Sequence, residues 1–74
     1  MTNARKLYAS PNGDRWHLVR DASGEVLVRH EANLAAGGKV TDIAIADFLE
    51  SGRGPEQQEL LRLIGTLVAD RPEP

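Results

Sequence analysis

Two histidines are the side chains of this 74-residue sequence best suited to proton transfer or metal binding. His17 and His30 stand in two segments of alternating apolar and polar residues, and the alternation places them on opposite faces of one sheet. A zinc ion needs three or four nitrogen, sulfur or oxygen ligands, and the chain has no cysteine to contribute. The sequence therefore predicts no metal site and no cofactor, and we interpret both histidines as structural.

The hydroxyl and carboxylate groups form no catalytic pattern. Ser10, Ser23 and Ser51 occupy turn or helix-end positions, where a hydroxyl bonds to nearby backbone, and none stands in a Gly-x-Ser-x-Gly elbow. Asp47 and Glu50 are three residues apart, a spacing typical of a solvated helix face. A catalytic acid and base also need a cleft that separates their pKa values. We therefore expect a protein without enzymatic activity.

The charged residues divide the chain into two unequal halves. The net charge is −2, with five basic and four acidic residues in 1–36 but four basic and seven acidic residues in 37–74. An acidic surface complements a partner protein with a basic one. The candidate partner-binding residues on the acidic half are Asp42, Asp47, Glu50, Glu56 and Glu59.

Two turn sequences divide the first thirty residues into three short alternating segments. Pro11-Asn12-Gly13 presets a turn and supplies a residue that tolerates positive φ, and Asp21 to Gly24 forms the second turn. The pattern predicts a three-stranded antiparallel meander. We interpret residues 31–38 as an irregular loop anchored by Leu34, with one helical turn as an alternative. From Val40 the pattern is helical, although Val40 and Ile43 could instead end a short extended segment before the helix.

Two helices are predicted after this connection. Thr41 or Asp42 caps the first helix, which ends at the glycines of residues 51–54. Pro55 begins the second helix, whose residues from 60 to 68 form a broad apolar stripe. Gly65 within this stripe predicts the close approach of another backbone, since glycine costs about 1 kcal/mol of helix propensity relative to alanine.

These elements predict one small α+β domain over residues 1–70, with a frayed tail at 71–74. The two C-terminal helices cover one sheet face, and the core residues are Trp16, Leu18, Val26, Val28, Phe48, Leu49, Leu60, Ile64 and Leu67. The other face stays open and offers an alternative partner-binding surface of Tyr8, His17, Val19, Leu27 and Arg29.

No segment of the sequence predicts insertion into a membrane. No apolar run approaches the roughly 20 residues that a spanning helix needs, and the first ten residues have no signal-peptide core. We therefore expect a cytoplasmic protein.

Several short segments resemble a known family of small proteins. They are Tyr8-x-Ser10-x-Asn12-Gly13-Asp14-x-Trp16, His30-Glu31-x-Asn33, Gly37-Gly38-x-Val40-Thr41, Phe48-Leu49, Gly54-Pro55-Glu56 and Leu60-Leu61-x-Leu63-Ile64-Gly65-Thr66-Leu67. Together they span the chain from Leu7 to Val68. The family occurs in rhizobia and related alphaproteobacteria, often with conjugative or integrative elements.

The resemblance implies a QseM-like antiactivator, which binds a transcriptional activator and blocks it within the quorum-sensing control of conjugative transfer. It supplies no catalytic residues. The leading hypothesis is therefore a non-enzymatic regulatory protein that binds another protein. The alternatives are a small nucleic-acid-binding module that uses the open sheet face and a homodimeric structural subunit.

Overall fold

The computed structural model describes residues 3–68, which form an antiparallel sheet and two helices. The four strands follow one another in both chain order and sheet order, so the sheet is a meander. The elements are β1 (Asn3–Ala9), β2 (Arg15–Arg20), β3 (Val26–Glu31), a 3₁₀ turn (Leu34–Ala36), β4 (Val40–Ala44), α1 (Ile45–Glu50) and α2 (Pro55–Gly65). The predicted α+β class is confirmed, whereas the sheet has four strands instead of three. The predicted frayed tail lies outside the described residues.

Both predicted turns are present, and a glycine takes the left-handed conformation in each. Gly13 has a φ of 97° and Gly24 a φ of 91°. The second turn is also held by the Asp21 carboxylate, whose Oδ1 accepts the backbone N–H groups of Ser23 at 2.9 Å and Glu25 at 3.0 Å. The turn chemistry is local, and it therefore fixes the two hairpins directly.

The fourth strand corrects the reading of residues 31–44. Thr41 pairs with His30 and Asp42 with Arg29, so neither caps a helix. The strand runs straight into α1, whose N-cap is Ala44. Leu34 is 92 % exposed and anchors nothing, so that prediction is also wrong. The connection is instead held by polar contacts of Asn33, which accepts the N–H of Ala36 at 2.8 Å.

The core is a small cluster on the helix-covered face of the sheet. Its buried members are Leu7, Val28, Phe48 and Leu60. Six partly buried apolar residues pack around them, namely Trp16, Leu18, Ile43, Ile45, Leu49 and Leu63. The sheet and both helices thus contribute to one cluster, as the sequence predicts.

Three predicted core residues are outside this cluster. Val26 is 41 % exposed at the end of β3, beside the second turn. Ile64 is 42 % and Leu67 82 % exposed, because α2 packs on the edge strand β1 and its burial stops at Leu60 and Leu63. The apolar stripe of α2 is therefore longer than the surface that covers it.

A buried glutamine joins the two helices. Gln57 is 7 % exposed. Its Nε2 donates to the carbonyl of Phe48 at 3.3 Å and to Ser51 Oγ at 3.1 Å, and its Oε1 accepts the N–H of Gly54 at 2.9 Å. One side chain therefore links the end of α1, where the Phe48 carbonyl also accepts the N–H and the hydroxyl of Ser51, to the N–H of Gly54 at the start of α2. Neither Gly52 nor Gly54, in the loop between the helices, has a positive φ, so the prediction that a left-handed glycine ends the first helix is wrong.

Replacing Leu60 by alanine is expected to destabilise the fold by about 2–5 kcal/mol, since it opens a cavity in the core. Leu67→Ala removes the same atoms from an exposed position and should change the free energy of unfolding by no more than about 0.5 kcal/mol. Urea unfolding followed by circular dichroism measures both. If the two variants lost the same free energy of unfolding, the difference in burial between Leu60 and Leu67 would be contradicted.

Replacing Gln57 by alanine is expected to cost about 1–3 kcal/mol, because the part-buried N–H of Gly54 loses its hydrogen-bond partner and the bonds from α2 to Phe48 and Ser51 are lost. Gln58→Ala is the matched control, since Gln58 is the exposed neighbour in the same turn of α2. Thermal unfolding of the two variants compares them, and a Gln57→Ala protein as stable as Gln58→Ala would contradict the assigned role.

Candidate interaction surfaces

The acidic candidates do not form one continuous group. Asp47 and Glu50 are exposed on α1, and Glu56 and Glu59 are half-buried on α2. Asp42 lies instead on β4, on the sheet face away from the helices. The helical side of the molecule therefore carries four of the five predicted carboxylates.

Two of the candidate carboxylates are already bound to arginine. Asp42 accepts Arg29 Nε at 2.8 Å and Nη2 at 3.1 Å, and these hydrogen bonds hold the pKa of Asp42 below its usual value. Glu59 accepts Arg62 Nη2 at 2.9 Å, with the same direction of pKa change for the same reason. Asp47 and Glu50 have no such partner among the described residues, so they remain available to a partner's cations.

Four of the seven large apolar side chains that are exposed among the described residues lie in the C-terminal part of α2 and the turn after it. We call this surface the α2 stripe, and it comprises Leu61, Ile64, Leu67 and Val68, which are 49 %, 42 %, 82 % and 70 % exposed. Gly65 lies among these residues, and no described atom stands within 4 Å of where its Cβ would be. The predicted close approach of another backbone within the chain is therefore wrong.

A shallow groove connects the α2 stripe to α1. Its volume is about 410 Å³, and its apolar sides are Leu49 and Leu61. The remaining lining is polar and comes from Gly52, Arg53, Gln57 and Gln58. Because Gln57 fixes the position of both helices, the groove is a defined feature of the fold and not a gap between independent elements.

The open sheet face is less accessible than predicted. Val19 lies between Ala4 and Leu27 in the strand register and is only 4 % exposed. Arg29 is bound by Asp42, as described above. His17 and Leu27 lie on this face and are half-buried.

Tyr8 does not belong to the open face. A bulge between Lys6 and Tyr8 shifts the register of β1, so that Tyr8 stands opposite Trp16. The two rings lie 5.7 Å apart on the helix side of the sheet. Leu7, the extra residue of the bulge, enters the core.

Asp14 organises the end of the sheet, although the sequence pattern does not indicate it as a candidate binding residue. Asp14 Oδ1 accepts the backbone N–H of Asn33 at 2.9 Å and its Nδ2 at 2.8 Å, while Oδ2 lies 3.3 Å from His30 Nε2. His30 in turn stacks on Trp16 with the ring centroids 4.7 Å apart. The hydrogen bond from the Asn33 backbone is the main cause that lowers the pKa of Asp14.

The histidines lie on opposite sheet faces, as the alternation predicts. His30 shares a face with Trp16, whereas His17 stands on the other face with Nδ1 3.8 Å from Glu31 Oε1. Over residues 3–68, no three histidine, aspartate or glutamate side chains come together as metal ligands. Asp14 connects the first hairpin to β3 through His30 and to the β3–β4 connection through Asn33.

Comparison with protein-family models, curated proteins and solved structures found no match to this chain. None of the described helices is long and apolar enough to cross a membrane.

The stability of the fold is expected to fall in acid partly through Asp14. The pKa of Asp14 is lower in the folded chain than in the unfolded chain, where it is about 3.9, so the ionised carboxylate stabilises the fold at pH values above that. This stabilisation is lost as the pH falls through the pKa of the folded state. Asp14→Asn should therefore be less stable than the original protein near pH 7, and the difference should shrink below about pH 4. Urea midpoints at a series of pH values measure this.

The control is Asp47→Asn, which alters an exposed carboxylate on α1. Because no described group donates a hydrogen bond to the Asp47 carboxylate, Asp47→Asn should lower the stability near pH 7 less than Asp14→Asn does. A stability difference between the original protein and Asp14→Asn that stays constant with pH would exclude the carboxylate charge as the source.

Proposed function

We propose that this protein is a non-enzymatic regulator that binds another protein through its helical side. The observation that carries the proposal is the α2 stripe. Contiguous apolar surface of a few hundred Å² on a soluble domain is often an interaction site. Leu61 and Ile64 belong to the same helix as Leu60 and Leu63, which pack in the core, and Leu67 and Val68 follow in the hydrogen-bonded turn after it.

Three aspartates of the sheet and its turns have structural roles in the fold, whereas the apolar α2 stripe has none that the described contacts show. Asp14 joins the first hairpin to the β3–β4 connection, Asp21 closes a turn, and Asp42 joins two strands. Removing the exposed leucines and valine would cost the fold little. Their exposure is understandable if they contact a partner.

The antiactivator role specifies the partner as a transcriptional activator of conjugative transfer. It rests on the family resemblance of the sequence. An antiactivator needs a folded surface that competes for an activator's contacts, and it needs neither cleft nor cofactor. DNA-binding activators present basic surfaces, which Asp47 and Glu50 would complement.

The open sheet face gives less support to nucleic-acid binding. Arg29 is neutralised by Asp42, and Arg15 Nη2 lies 3.6 Å from Glu31 Oε1. Phosphate binding depends on cations that are free to replace counterions. We therefore favour a protein partner.

The proposal is tested by capture from cells that encode the protein. The tagged chain should retain a DNA-binding protein, and adding it to a transcription reaction driven by that protein should reduce the transcript. Leu61→Asp should lose both effects, because it places a charge in the α2 stripe.

Leu34→Asp is the matched control, since it makes the same change at an exposed leucine in the β3–β4 connection. It should behave like the original protein. Melting curves establish that both variants fold. Capture of no protein, together with DNA binding that weakens steeply with salt, would replace the proposal by the nucleic-acid alternative.

A further inference from the structure

We infer that the α2 stripe docks an amphipathic helix whose polar flank carries lysine or arginine. The inference rests on the proposed function and names the chemistry of its partner. Three features of the helical side support it: the spacing of the stripe, the groove beside it, and the balance of charge.

The spacing of the exposed residues fits a helix. Leu61 and Ile64 stand at i and i+3 on α2, and Val68 follows at i+7 in the turn after the helix. Helices that dock in apolar grooves use anchors at this spacing. Gly65 has no side chain between them, so a partner helix can approach α2 closely, as interdigitated ridges and grooves require.

The groove between the helices adds a place for one more apolar anchor. Leu49 and Leu61 form its sides, and it opens beside the first turns of α2. The six residues that follow Val68, ADRPEP, contain no large apolar side chain. These six residues supply no anchor of this kind.

The charges select among possible occupants. Residues 45–65 hold four carboxylates and two arginines. Arg62 is bound to Glu59, and no described cation lies within 4.0 Å of the carboxylates of Asp47, Glu50 or Glu56. Arg53 lines the groove and has no carboxylate within 4.0 Å among the described residues, so three carboxylates and one arginine set the charge that a partner meets, a net charge of −2. A second copy would bring two surfaces of the same net sign together, which costs free energy, whereas a basic flank is attracted.

Two synthetic peptides of about 18 residues, long enough to form a helix, test this with the full chain. Both carry the same leucines at i, i+3, i+4 and i+7, and their flanking positions are lysine in one and glutamate in the other. Fluorescence anisotropy measures binding. The lysine peptide should bind at least about tenfold more tightly, and its advantage should shrink as salt is raised.

Substitutions assign the site. Leu61→Asp should weaken the lysine peptide at least about tenfold, whereas Leu34→Asp should not. Asp47→Lys combined with Glu50→Lys should remove the preference for lysine over glutamate. Glu25→Lys changes an exposed carboxylate beside the second turn and should leave the preference intact.

Several results would overturn the inference. Equal binding of both peptides, no binding of either, or binding that survives Leu61→Asp would each do so. A dimer in sedimentation equilibrium that Leu61→Asp dissociates would assign the stripe to a second copy.

These failures differ from failure of the proposed function. If a captured activator depends on Leu61 while both peptides bind equally, the regulator role stands and only the basic flank is wrong. If no protein is captured and neither peptide binds, both proposals fall.

Discussion

The geometry of the helical side depends on one buried amide. Gln57 bonds to the end of α1 and the start of α2 at once. Apolar contacts between Phe48 and Leu60 favour burial but have no direction, whereas hydrogen bonds with defined donors and acceptors specify an angle. A buried polar network whose members are all satisfied therefore sets how the helices meet.

The exposed stripe is a consequence of that arrangement. With its first turn tied to α1, α2 lies against β1, and the small core covers it only as far as Leu60 and Leu63. The apolar residues continue through Ile64 on α2 and through Leu67 and Val68 in the turn after it, and all of them are exposed. A domain of this size buries a smaller fraction of its surface than a larger domain does, and the apolar surface that its core leaves uncovered is available to a partner.

The parts of the fold that local chemistry determines could be predicted, and those that depend on distant pairing could not. Asn12-Gly13 and Pro55 mark a turn and a helix start in any context. The strand at Val40–Ala44 becomes visible only through its pairing with β3, and this pairing also moves Asp42 away from the helical acids. Periodicity showed which face of α2 is apolar, but the length of the covering surface is a property of the sheet. Asp47 and Glu50 lie on the exposed helical side, as their spacing predicts.

In the proposed role, apolar and charged groups act on different steps of binding. Exposed carboxylates raise the rate of encounter with a basic helix, because their field extends over about a Debye length of 8–10 Å. Desolvation of Leu61 and Ile64 governs how long the complex lasts, since differences in affinity lie mostly in the dissociation rate. Lysines and arginines that bind Asp47 and Glu50 are also no longer free to bind phosphate. An activator held by such a basic helix would lose contacts to DNA through the same side chains that attach it to this protein, so the inhibitor needs no surface beyond α1 and α2.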